Sequence, residues 1–293
     1  MIGAAELETR LRSGEFGVIA EAYLHRATRQ TSLAVLNGRD RLLESAVAEA
    51  AMAPNAALTL GFCADDLATF RIDHGAAGWH GHRWLWREGG RIVRETVVED
   101  GAARAAAIGT APLTPAAMAP IHAPLGELRP GRGQFPAGET AILPPEWPEA
   151  ARATADLMHR IWNGRAIDAL KRHWHPQVVW RGPDSSSGDA SDLAHWLTKL
   201  LAAFPDMTLM FERAIVARDV TALLWRLHGH HHGPGFGEPT GRRIRLIGST
   251  VLRMEQGQVM ADDTLIDTQA LAQQLVTPPI AWRAAAPGIS ADG

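Results

Sequence analysis

Two stretches of this chain concentrate side chains able to move protons. The first, GQVMADDTLIDTQALAQQL (Gly257 to Leu275), sets Asp262, Asp263 and Asp267 in a segment otherwise apolar enough to be buried. A carboxylate is costly to bury unless it is paired, hydrogen-bonded or protonated. Either the stretch is more exposed than its composition suggests, or one acid works in a pocket. The second stretch, LHGHHHG, holds His228, His230, His231 and His232. In a strand His228, His230 and His232 share one face, but such a run spans ~13 Å, too far for one ion to bind all three without a bulge. No metal site is expected. GPGFGEPTGR has the glycines of a phosphate cradle, but it joins two strands and opens no helix, so no nucleotide is expected.

The elements that must position these residues follow from periodicity. In PEWPEAARATADLMHRIWN, Ala155, Met158, Ile161 and Trp162 recur at helical spacing. Pro148 stands at its start, where a missing N–H is harmless. RAIDALKRHW predicts a shorter helix stopped by Pro176, and QVVW a short strand. Ser191 or Asp192 is placed to cap a helix over DLAHWLTKLLAAF. Long strands are expected over 207–217, 219–232, 242–255 and 258–267, then a closing helix over about 268–275. Helices on one face of a curved antiparallel sheet make an α+β cone.

The first half repeats this order. GHRWLWREGGRIVRETVVEDGAARAAAI (81–108) aligns without a gap on GSTVLRMEQGQVMADDTLIDTQALAQQL (248–275), so Gly81 meets Gly248, Gly90 meets Gly257, Ile92 meets Val259 and Asp100 meets Asp267. Pro54 matches Pro205, each after an alanine-rich run. Between the halves, Thr110 to Pro148 is dense in proline and glycine and admits little regular structure. The expected organisation is a domain over 1–109, a linker over 110–147, a domain over 148–280 and a flexible tail over 281–293.

Composition narrows the partners. The net charge of −3 carries no basic excess, which argues against nucleic acid. No apolar run approaches the ~18–20 residues of a membrane helix, and MIGAAELETRLRSGEF lacks the apolar core of a signal peptide. Cys63 is the single cysteine and is expected to be a small buried hydrophobe. The expectation is a cytoplasmic protein.

The second half resembles the SnoaL-like polyketide cyclases, or ester cyclases, of the NTF2-like superfamily. The resemblance rests on IWNGRAIDALKRHWHPQVVWRGP, FPDMTLMFERAIVARDVTALLWRLHGHHHG, PTGRRIRLIGSTVLRMEQGQV and DTQALAQQL, in that order, over about 160–275. The first half would be a shorter, divergent copy. The resemblance implies tandem NTF2-like cones, each a curved sheet packed by helices, enclosing an apolar pocket. It implies cofactor-free cyclisation or isomerisation of a small hydrophobic carbonyl compound, with a pocket aspartate as base. Alternatives in the same pocket are hydrolysis of an apolar ester or epoxide, and plain binding. It also implies packing of the two halves as an intramolecular pseudo-dimer, or a homodimer.

If Val259 faces inward, as the resemblance implies, strand alternation turns Ala261, Asp263, Leu265 and Asp267 inward too and sends Asp262 outward, to solvent or an interface. Asp263 is then the expected base and His231 the expected donor. Asp267, at the pocket's end, is either catalytic or a helix cap, and Asp100 holds the same place in the first half, where Thr96 replaces Asp263. The expected pocket wall comprises Trp162, His173, Trp174, Trp180, Trp196 and Trp225. Arg181 would hold an anionic substrate or pair with Asp184.

Overall fold

The computed structural model describes residues 3–109 apart from 54–55, 65, 76–77 and 108, and residues 143–276 apart from 184–185. Most of the proline-rich segment, the tail from 277, Pro54 and Asp184 lie outside the described residues.

The two gapless repeats fold alike because their hydrophobic alternation and glycine turns coincide. The first half runs α1 (Ala4–Arg12), α2 (Val18–Ala22), β1 (Tyr23–Gln30), β2 (Val35–Asn37), α3 (Arg39–Met52), β3 (Ala57–Ala64), β4 (Leu67–Asp73), β5 (His80–Glu88), β6 (Arg91–Glu99) and α4 (Gly101–Ala107). The second runs α5 (Glu149–Trp162), a 3-10 turn (Ile167–Ala169), α6 (Leu170–His173), β7 (Trp174–Arg181), β8 (Ser187–Gly188), α7 (Ala190–Ala203), β9 (Thr208–Ala217), β10 (Val220–His230), β11 (Arg243–Glu255), β12 (Gln258–Ile266) and α8 (Thr268–Val276). Each half forms a six-stranded sheet, ordered β2-β1-β6-β5-β4-β3 and β8-β7-β12-β11-β10-β9. The identical order is the structural signature of the repeat. Each sheet is mixed, since β1 pairs with β6, and β7 with β12, in parallel.

Local chemistry sets the helix ends. Asp189, rather than Ser191 or Asp192, caps α7. Its side chain accepts from the Ser191 and Asp192 N–H groups, and Asp192 accepts in return from the Asp189 N–H, a capping box. Asp267 and Asp100 cap α8 and α4, accepting from the N–H groups of Ala270 (2.9 Å) and Ala103 (3.1 Å). The Asn163 side chain ties the end of α5 to β9 through both main-chain groups of Leu209.

Among the described residues three cores result. One fills the second cone between α5, α7, α8 and the inner face of its sheet, and one fills the first between α1, α2, α3 and its sheet. The third joins the outer faces of the two sheets, with Trp84 and Val98 against Ala222, Leu224, Ile247, Val251 and Leu265. There the Trp84 Nε1–H donates to Ser249 Oγ (3.0 Å). Cys63 is exposed, against the expectation of burial; it lies near the end of edge strand β3. Among the described residues no helix is long and apolar enough to cross a membrane.

Candidate active site

The inner face of β12 is decided by one extra residue. On β11, Arg253 alone separates Leu252 from Met254, whereas on β12 Met260 and Ala261 both separate their partners Asp262 and Val259. This is a β-bulge, and it reverses the alternation beyond it. Val259 still packs in the cone, but the next inward side chains are Asp262 and Thr264. Asp263 and Leu265 therefore point outward, Leu265 into the core between the sheets. The expected inward placement of Asp263 is corrected on this ground, and so is the outward placement of Asp262.

Inside the cone, Asp262 meets Trp174, Leu252, Leu197, Thr250 and Thr264 around a void of about 10 Å³. Trp174 Nε1–H donates to Asp262 Oδ2 (2.9 Å), and the Thr264 hydroxyl donates to Oδ1 (2.6 Å). Thr264 Oγ1 lies 3.0 Å from Thr250 Oγ1, which itself accepts from Trp225 Nε1–H (3.1 Å). The chain of donors from Trp225 through Thr250 and Thr264 thus ends on the carboxylate, and such chains polarise one another. Burial nonetheless pushes the Asp262 carboxyl up to about 6, outweighing the stabilising bonds from Thr264 and Trp174, with the neighbouring Asp263 adding to the rise.

Trp162, Trp180, Trp196 and Trp225 pack at tilted and edge-on angles around this interior. Trp162 stands 5.2 Å from Trp225 and 5.9 Å from Trp196, and Trp180 stands 6.1 Å from Trp196. The Trp180 Nε1–H is buried without a partner. The Trp225 ring lies over Gly248, where a Cβ would meet it at 2.1 Å. Gly248→Ala is therefore expected to expel the ring and lower stability by about 1–3 kcal/mol, the usual effect of overpacking. Thermal unfolding with tryptophan fluorescence reads both changes; a variant as stable as the parent would contradict this packing.

The other expected site residues disperse. His231 is fully buried, but it packs on Phe204 (5.2 Å) and accepts from the Thr240 N–H at Nδ1, so it fastens the 231–242 loop rather than facing Asp262. His173 lies on an outer groove between α5 and the sheet. Arg181 points outward beside Asp263. Asp267 is the cap of α8, and burial pushes its carboxyl up to about 6 against the bond from Ala270, with Glu99 adding to the rise. His230 is committed to Asp206 (2.6 Å).

The first cone carries the same bulge and an acid at the same place. Trp86 pairs with Arg94 and Arg87 with Ile92, leaving Val93 extra, so Glu95 turns inward where Asp262 does. Tyr23 takes the place of Trp174: each pairs with the aliphatic residue before the bulge, and each donates to the acid, Tyr23 at 3.0 Å. The surroundings differ. Arg29, which stands where Trp180 stands, binds Glu95 (2.9 Å) and Glu49 (2.6 Å), and Arg83 binds Glu49 and Glu95. The first cone thus holds its acid in a buried ion cage, and the second in apolar surroundings. Sequence comparison at Asp263 and Thr96 missed this. The signal was present one position earlier, where Glu95 aligns with Asp262.

The model of the SnoaL-like polyketide cyclase family matches residues 152–275, from α5 to α8. No curated protein matches the chain. Among solved structures, a protein of Jannaschia sp. CCS1 assigned as a SnoaL-like polyketide cyclase is 18% identical, and the match covers 46% of this chain and 99% of that one at a TM-score of 0.40. AclR of Streptomyces galilaeus, assigned as a hydroxylase, is 25% identical over 44% of this chain and 87% of its own, also at 0.40. An NTF2-like protein of unknown function from Burkholderia pseudomallei K96243 is 14% identical over 44% of this chain and 99% of its own, at 0.38. Residues 152–275, from α5 to α8, are thus the part of the chain that the SnoaL-like polyketide cyclase family model matches.

Proposed function

We propose that the second cone is a cofactor-free acid–base catalyst of the cyclase type, acting on an apolar carbonyl compound with Asp262 as the base. The carrying observation is the Asp262 carboxyl itself: fully enclosed, oriented by Trp174 and Thr264, and pushed up to about 6, near the pH at which a base works best. Its carboxylate would take a proton from a carbon flanked by carbonyls. The electron pair moves onto oxygen as an enolate, and the enolate carbon attacks a second carbonyl to close the ring.

Access is through the Leu170–Trp174 segment. Both residues line the inner void and also an outer groove of about 530 Å³ beside α6 and the start of α7. The void holds no more than one water, so a substrate must displace the Trp174 ring to reach the acid.

That filled interior favours a second reading, in which the cone is a scaffold and the acid only fixes its packing. Proton exchange separates the two. The full chain, mixed with an apolar β-keto ester in heavy water, is expected to accelerate deuterium uptake at the carbon between the carbonyls. The protein-dependent rate should rise as pH increases through about 6 and then level, because the base is the ionised form. A rate without that inflection, or no protein-dependent rate at all, would leave the scaffold reading standing.

A further inference from the structure

A groove follows the flank of α5 over the inner face of the second sheet. It encloses about 390 Å³, within the size range of small-molecule sites. Its walls are mainly apolar: Ala150, Ala153 and Leu157 on α5 meet Val216, Leu252 and Met254 on the strands. The α5 positions recur at three and four residues, so they form one stripe down the helix. From Ala150 to Arg160 that stripe runs ~15 Å, since a helix rises ~1.5 Å per residue. The groove is therefore elongated as well as apolar, a shape that suits an unbranched chain. Leu252 also lines the void around Asp262, and so separates the two spaces.

The charged residues of the groove are Arg160 and Arg218, with a single carboxylate, Asp219, beside a histidine, His173. Arg160 is already held by Asp156 at 3.3 Å. Arg218 makes no ion pair or hydrogen bond among the described residues, although Asp219 follows it in the chain. Arg218 also stands where another residue would fit more easily. It is the first of the two residues that join β9 to β10, between the paired Ala217 and Val220, and its φ is 55°. Glycine takes that left-handed backbone freely, whereas a residue with a Cβ is strained there. A strained arginine, uncommitted and at the rim of an apolar groove, points to a use for its guanidinium.

We propose that this groove binds an unbranched apolar carboxylic acid, with the carboxylate on Arg218 and the alkyl chain along Leu157, Val216, Leu252 and Met254. The planar guanidinium fork suits a carboxylate, and one uncommitted fork beside Asp219 suits a single negative charge. The site is separate from the void around Asp262 and does not rest on the chemistry proposed for that acid.

Calorimetric titration of the full chain with octanoate tests this. Saturable one-to-one binding is expected, weakened about tenfold or more for 1-octanol, which lacks the charge, and for butanoate, which lacks the chain. Arg218→Gly should weaken octanoate about tenfold or more without lowering the thermal midpoint, since glycine fits the positive φ. Ala153→Trp, made at an exposed position of α5, should fill the groove and abolish binding while the chain stays folded. The His173 ring signals in a proton–nitrogen spectrum should move as octanoate is added, because His173 lines the groove. Absence of binding by the unaltered chain, equal affinity for octanoate and 1-octanol, or a folded Arg218→Gly variant that binds as well as the parent would overturn the proposal. Undiminished binding by Ala153→Trp, or binding that leaves the His173 signals in place, would put the acid elsewhere and overturn it as well.

Discussion

Asp262→Asn is expected to reduce protein-dependent deuterium exchange by about 10²–10⁴-fold, the contribution of a positioned general base. Asn keeps one acceptor oxygen for the Trp174 N–H and can donate from its amide to the Thr264 hydroxyl, so the cone should keep its packing while losing its only inward carboxylate among the residues around the void. The same substitution should stabilise the protein at neutral pH. The folded-state value of about 6 lies above the ordinary 3.8, so the folded protein holds a proton that the unfolded chain has released. This favourable contribution is complete below about pH 4 and is lost as pH rises through 6. Above that, enclosing the charge costs roughly 3 kcal/mol, since each tenfold change in proton affinity corresponds to about 1.4 kcal/mol. Asn carries no such cost, so the gap between variant and parent should open between pH 4 and 6 and stay constant beyond. Asp267 titrates over the same window, so the parent's pH slope should shrink in the variant and not vanish. Urea unfolding at several pH values, alongside the exchange assay, checks both halves. Unchanged exchange with unchanged stability would show that Asp262 is not the base.

The second large effect is expected in the first cone. Arg29 is 1% exposed and bridges Glu49 and Glu95. Arg29→Met leaves two enclosed carboxylates with Arg83 as their remaining close cation, and removal of one member of a buried ionic group costs about 3–5 kcal/mol. Combining it with Glu95→Leu should recover part of that loss, because an apolar replacement of comparable volume is often neutral. Urea midpoints of the single and double variants measure this. A single variant within about 1 kcal/mol of the parent, or a double variant worse than the single, would show that the cage is not what holds this cone.

The contrast between these two cones explains how much was legible beforehand. The element order, the gapless repeat and the resemblance of the second half could be read from glycine turns and alternation, and β6 and β12 sit where those marks place them. Alternation failed at Met260 and Val93, since a bulge leaves no reliable mark in composition, and every inward assignment beyond it inverted. His231 is a second failure of the same kind: its place depends on how the 231–242 loop folds onto Phe204, a contact set by distant elements. The cage of Arg29, Glu49, Arg83 and Glu95 joins helix to three strands and has no local pattern at all. For Asp267 the sequence leaves a catalytic role and a helix cap open, and its cap on α8 follows from the helix start that the sequence marks.

The proposed chemistry turns on which acid of β12 lies in the cone. Carbon-13 NMR of the chain labelled at aspartate side-chain carboxyls, titrated from acid to mildly alkaline pH, addresses this directly. Two carboxyls should titrate near 6, belonging to Asp262 and Asp267. One should disappear in Asp262→Asn, while both should persist in Asp263→Asn. If instead Asp262→Asn keeps both and Asp263→Asn loses one, the inward acid is Asp263 and the bulge assignment is wrong.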